Sequence, residues 1–197
     1  VRPRSSVRSA PIRLLPVGID RALVTARPSS SGRSDIRSSR WPAGLSRLLD
    51  PLLIGVAGLV LSVIGIANPS VWYDEAATVA SATRSWEGLW LEIQTVDLVH
   101  VAYYALLHVW FDLVGYSPFA LRLPSAVAIG FAAGGLVALL RTLADRTTAI
   151  TAGIVFLLLP RVIWAGGEGR SFALGTALCV ALLAVFVGAV ARTDGPR

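Results

Sequence analysis

Charge is scarce in this 197-residue chain: 15% of its residues are charged and 54% are hydrophobic, with a mean hydropathy of +0.66. A soluble domain carries nearer a quarter charged residues, so composition excludes an ordinary water-soluble globule. The single cysteine, Cys179, excludes a disulfide framework or a cysteine metal cluster within the chain. Only two histidines occur, His100 and His108, with no third ligand in register, so a metal site is not indicated and divalent-metal dependence stays open. Methionine is absent and the chain begins at Val1, which leads us to expect an unusual start codon or a sequence given only in part.

What fills the chain instead is long apolar runs. Residues 51–67, 123–140 and 172–191 are uncharged, and residues 147–164 are apolar apart from Arg161. Each has roughly the length needed to cross a hydrocarbon layer of ~30 Å at ~1.5 Å per helical residue. The expected fold class is an all-α integral membrane protein with about four transmembrane helices, plus one or two interfacial helices in a first outer loop over residues 68–118. The membrane domain is expected over 48–192, with a short C-terminal tail at 193–197.

The net charge of +6 is local. Residues 1–50 hold ten arginines against Asp20, Asp35 and Asp50. This Arg/Ser-rich segment, taken as a tail over 1–47, lacks hydrophobic periodicity and reads as disordered. A membrane span follows at once, so the arginines are better explained by retention on the cytoplasmic side, against anionic membrane lipid, than by nucleic acid. A secretory signal is not expected, because the first apolar run comes too late. The location implied is the plasma membrane, multi-pass, with a cytoplasmic N-terminus.

Residues 74–93 read as one surface helix. Val79, Ala82, Trp86, Leu89, Trp90 and Ile93 share one face, while Glu75, Thr78, Ser81, Ser85 and Glu92 fall largely on the other. An amphipathic helix packing on other helices would show the same pattern. Residues 100–114 are short for a span and carry His100, Tyr104, His108 and Asp112 at every fourth position, as on one face of a half-buried helix. If this segment does not cross, Glu168 and Arg170 emerge on the same side as Asp74 and Glu75.

Three clusters then offer chemistry at the outer face. Trp72-Tyr73-Asp74-Glu75 places two carboxylates at the edge of an apolar run, where carboxylates suit proton transfer. Asp97 to His100, followed by Tyr103 and Tyr104, adds an imidazole and aromatic faces able to stack on sugars. Gly166 to Phe172 adds Glu168 and Arg170, a cation suited to a phosphate leaving group. Each cluster also has a plainer reading. The acidic pair can simply complement a helix dipole, and Glu168 and Arg170 can cap a loop.

Four segments taken together resemble the start of a polytopic glycosyltransferase. They are Trp72 to Thr78, Val96 to His108, Phe119 to Ala126 and Glu168 to Leu174. They are similar to family 39 and related mannosyltransferase-like proteins of the GT-C fold, of actinobacterial type, and the absence of lysine fits a high-GC genome. The resemblance covers roughly residues 50–192. It implies transfer of a sugar, of mannosyl type, from a polyprenyl-phosphate donor to an acceptor at the outer face of the membrane. It implies Asp74 as general base, Glu75 as an assisting or orienting neighbour, and His100 and Arg170 near the lipid phosphate. Tyr103, Tyr104 and Glu168 complete the expected substrate-binding set. Phe172 stands where such proteins usually have Tyr, and Val101-Ala102 where many are Pro-rich. Members of that family run to more than twice this length, so the chain corresponds to an N-terminal portion. A non-catalytic membrane scaffold or a transporter fragment is the alternative.

Overall fold

A computed structural model of the chain describes residues 43–95 and 100–193. Residues 1–42 of the expected tail, Asp97 and the last four residues lie outside the described residues, while residues 43–47, also expected in the tail, open α1. Every regular element among the described residues is an α-helix: α1 (Ala43–Val63), α2 (Tyr73–Ala82), α3 (Trp86–Thr95), α4 (Val101–Val114), α5 (Pro118–Leu143), α6 (Arg146–Leu158), α7 (Pro160–Gly166) and α8 (Phe172–Thr193). Three stretches, Leu45–Val63, Pro118–Leu143 and Phe172–Arg192, are long and apolar enough to cross a membrane. The fourth run is a bent pair rather than one helix. α6 and α7 meet at 69°. The residue before a proline disfavours helical backbone, and Leu159, preceding Pro160, is extended at φ −70°, ψ 119°.

Local chemistry sets the helix ends. Ser117 caps α5 by accepting the Ala120 N–H at 3.0 Å, and Pro118 occupies the first turn, where its missing N–H costs nothing. α5 therefore starts five residues before the apolar run does and takes in Arg122. Asp145 caps α6, accepting the N–H groups of Thr147 and Thr148 at 2.9 and 3.1 Å. α1 stops at Val63, four residues before its apolar run ends, and the chain turns out through Gly65 at φ +72°.

The expected single helix over 74–93 is two helices. Thr83 terminates α2, and Ser85 starts α3 by accepting the Gly88 N–H at 3.2 Å. The faces match the pattern only in part, since Ala82 and Leu89 of the apolar face are buried while Ser85 of the polar face is exposed. Glu75, Thr78 and Ser81 are buried, whereas Trp86 and Trp90 are exposed. The polar residues of α2 face inward because their partners, Arg122, Arg170 and Glu92, lie there.

α5 is the central helix and packs against α1, α4, α6, α7 and α8. Half of its most apolar window is buried, against 6% for α8. Lipid supplies no hydrophobic drive between apolar helices, so close backbone approach has to hold them. α1 and α5 meet through Gly55, Gly58, Gly130 and Gly134. A Cβ at Gly134 would stand 2.8 Å from the Pro51 carbonyl oxygen, and one at Gly130 2.9 Å from that of Gly55.

Ion pairs pin the two ends of this bundle. At one end Asp50, buried within α1, accepts Arg146 Nε and Nη2 at 2.8 Å each and Arg141 Nη1 at 3.2 Å. At the other end Glu75 meets Arg122. Gly134→Ala should lower stability by about 1–3 kcal/mol, because the added methyl has only backbone to push against. Gly188→Ala, with nothing within 4 Å of its Cβ, should be neutral or slightly stabilising. Thermal midpoints in detergent check the pair, and equal shifts would refute backbone contact as the bond between α1 and α5.

Candidate functional site

The site is assembled where the chain leaves α1, crosses residues 64–72 and enters α2. Trp72 is extended at φ −97°, ψ 174°, so Asp74 and Glu75 fall in the first turn of α2, where a helix favours negative charge. Consecutive helical residues point about 100° apart. The two acids accordingly meet different surroundings.

Glu75 is buried and fully engaged. Arg122 Nε donates to its Oε1 at 2.7 Å and Nη2 to its Oε2 at 2.6 Å. The Gly169 N–H adds a bond to Oε1 at 2.8 Å. The remaining Arg122 donors go to the carbonyls of Ile66 at 2.7 Å, Pro69 at 2.9 Å and Ser70 at 3.2 Å. All five guanidinium N–H groups are thus used. Burial pushes the Glu75 carboxyl up, but the Arg122 hydrogen bonds, the Gly169 N–H and the Arg122 charge outweigh it and hold the group below the ordinary glutamate value. Both carboxylate oxygens of Glu75 are thus engaged by protein donors.

Asp74 is different. Its side chain is 40% exposed, and among the described residues its carboxylate faces one cation, Arg170, at a long 3.8 Å. Arg170 Nη1 also reaches the Asp74 carbonyl at 3.3 Å and the Thr78 hydroxyl at 3.5 Å. The first and third sequence clusters therefore come together at one end of the bundle. Gly169 has to be glycine there, because a Cβ would stand 2.5 Å from the Leu121 side chain.

Glu168, in the same loop, is 3% exposed, and neither carboxyl oxygen has a hydrogen-bond partner among the described residues. Burial, and next the negative charge of Glu75, push its carboxyl above the ordinary value, and Arg170 and Arg161 only partly oppose them. It lines a cavity of about 250 Å³ with Glu75, Arg122, Ser62, Trp72 and Trp164.

The second cluster divides. Tyr103 is buried, and its hydroxyl pairs with Ser125 Oγ at 3.0 Å. Ser125 Oγ in turn donates to the Arg170 carbonyl at 3.2 Å. Burial pushes the Tyr103 phenol up to about 12. Tyr103 therefore positions the Arg170 loop rather than offering an open stacking face. Tyr104 is likewise buried, in a core with Leu107, Phe111 and Leu121, which corrects its expected contact with substrate. His100, half-buried, opens α4 with its ring over Tyr104, the centroids 6.1 Å apart. His108 Nδ1 lies 2.9 Å from the Ala82 carbonyl, which ties this point of the α4 polar stripe to α2, whereas Asp112 is exposed.

Three participants were missed at the sequence level. Arg122 was quoted only within an apolar motif, yet a lone arginine beside a membrane span signals a buried acidic partner. Ser62 carried no signal. Arg161, exposed, has its guanidinium 4.3 Å from the Trp164 ring centre and 5.8 Å from that of Phe172, while Arg170 approaches Phe172 at 5.9 Å. Among the described residues no three His, Cys, Asp or Glu gather into a set able to hold a metal ion.

Glu75→Gln should cost about 3–5 kcal/mol by stranding a buried guanidinium, whereas Glu75→Leu combined with Arg122→Met should recover much of that loss. Thermal melts decide it, and additive losses would show that the two groups do not act as a pair. For Glu168 the sign runs the other way from an ordinary paired acid. Its proton is held more tightly in the folded state, so folding is favoured at low pH and loses that support as pH rises from 4.5 through the raised value. Glu168→Gln should therefore flatten this decline in the midpoint–pH curve, and parallel wild-type and variant curves would contradict it. No protein-family model matches the chain, and neither a curated protein nor a solved structure matches it.

Proposed function

We propose that this chain is the N-terminal part of a glycosyltransferase that takes a sugar, of mannosyl type, from a polyprenyl-phosphate donor and transfers it to an acceptor hydroxyl at the outer face of the plasma membrane. The observation that carries this reading is the divergence of the acidic pair. Glu75 is locked to Arg122, while Asp74, one residue away, keeps a half-exposed carboxylate beside Arg170. A general base has to be reachable and held in place, and Asp74 is both.

Asp74 takes the proton of the acceptor hydroxyl as its oxygen attacks the anomeric carbon. The bond from that carbon to the lipid-phosphate oxygen breaks, and the phosphate departs with the electron pair. Arg170 neutralises the departing phosphate, helped by the exposed Arg161 on its aromatic bed of Trp164 and Phe172. Exposed Trp72, Tyr73, Trp86 and Trp90 suit the level of lipid headgroups. Transporters place ionisable groups at mid-membrane. Here the buried charges sit at the two ends of the helices, which favours surface chemistry over transport. The end bearing Arg141 and Arg146, where α1 begins, is the cytoplasmic one in this reading.

Two experiments test the proposal. In membranes carrying the protein and supplied with polyprenyl-phosphate mannose, Asp74→Asn should reduce transfer by about 10²–10⁴-fold without a change in thermal midpoint. Undiminished transfer would remove Asp74 from the chemistry. In intact cells a membrane-impermeant maleimide should label Tyr73→Cys and spare Ala144→Cys, both in a Cys179→Ala background. The reverse pattern would turn the protein over in the membrane.

A further inference from the structure

The cavity at the α1–α7 junction combines features that the catalytic scheme does not use. Its floor holds the Glu168 carboxyl, 3% exposed, with both oxygens unpartnered among the described residues. Ser62, in the last turn of α1 and also 3% exposed, lines the same space with its hydroxyl unpartnered. A helical serine ordinarily satisfies its hydroxyl on the preceding turn or in water. Two neighbouring buried polar groups left without protein partners call for a water or a ligand.

The walls narrow the choice. Trp72 and Trp164 line the cavity with ring centres 6.4 Å apart and planes at 48°, presenting two apolar faces. Arg122 and Glu75 both form part of the lining but are spent on each other, so neither offers a free charge and a neutral guest is favoured. A hydroxyl suits the floor in either protonation state of Glu168, because it can donate to a carboxylate or accept from a carboxylic acid. The volume of about 250 Å³ lies just below the ~300–1,000 Å³ usual for drug-sized ligands, a space for one ring.

We infer that this cavity is a saccharide subsite, holding a single sugar ring whose hydroxyls bond to Glu168 and Ser62 and whose apolar face lies on Trp72 and Trp164. The inference deepens the glycosyl-transfer reading and rests on it for its biological sense, but binding is measured apart from turnover. Saturation-transfer NMR of methyl α-mannopyranoside with the full chain in lipid nanodiscs should show contact in the wild type and in Asp74→Asn. Glu168→Leu should weaken binding at least tenfold, with a thermal midpoint no lower than wild type because an unpartnered buried carboxyl is removed. Glu168→Gln should fall between.

Should Glu168→Leu fail to fold, Gly167→Leu serves in its place. It lines the same cavity, and its Cβ would meet nothing closer than 3.7 Å, so it should fold and weaken binding. No saturation transfer to the wild type overturns the subsite. Undiminished binding in Glu168→Leu, or in its substitute, overturns it equally and leaves a water-filled void. Transfer activity without binding here defeats the subsite alone. Binding here with full transfer by Asp74→Asn defeats the assignment of the base alone.

Discussion

The buried pair of Arg122 and Glu75 is the constraint on which the site end of the molecule depends. Burying either charge alone would be prohibitive, and burying both is tolerable only when every donor finds an acceptor. That condition explains the path of residues 64–72, which have no regular structure of their own. The carbonyls of Ile66, Pro69 and Ser70 turn inward to meet the guanidinium, which has no other acceptors for those N–H groups among the described residues. One side chain from α5 thus shapes the exit from α1, fixes the start of α2 and, through Glu75, holds the Gly169 amide in place.

The same pair sets the electrostatics around it. A carboxylate kept ionised by Arg122 is a standing negative charge beside Glu168, and with burial it drives that second carboxyl towards its neutral form. Asp74 points elsewhere from the same helical turn, its side chain 40% exposed beside Arg170. Three acids within one small region therefore have three conditions: locked and ionised, buried and proton-loving, and half-exposed beside a cation. Such separation of neighbouring carboxyls is how acid–base sites divide labour. It arises here from helix geometry and the placement of one arginine.

Much of the framework was legible in the sequence, because membrane helices are announced by apolar runs that need no partner to be recognised. The runs at 51–67, 123–140 and 172–191 correspond to α1, α5 and α8, and the short segment after His100 is the 14-residue α4. Their ends were less legible. Ser117-Pro118 is a start signal lying ahead of the apolar run, and Gly65 is a stop signal lying inside one. The α2–α3 segment misled in a particular way. Periodicity separated two faces, but Ala82 and Leu89 of one and Glu75, Thr78 and Ser81 of the other are all buried, because the polar residues have Arg122, Arg170 and Glu92 to meet. At the site, the acid pair and Glu168-Gly169-Arg170 stood out by composition. The pairing of Glu75 with Arg122, 47 residues away, is a tertiary fact that no local pattern encodes.

The glycine contact between α1 and α5 has a mechanical corollary. Where side chains separate two helices, small rotations are absorbed by rotamer changes in the intervening layer. Backbone lying on backbone has no such cushion. Asp50 and Arg141 fasten the same two rods at one extremity, and at the other Arg122 of α5 holds the Ile66 carbonyl just beyond α1. The pair is accordingly stiff as a plank. A tilt imposed by the bilayer at the Asp50 edge is delivered undamped to the edge that carries the acids.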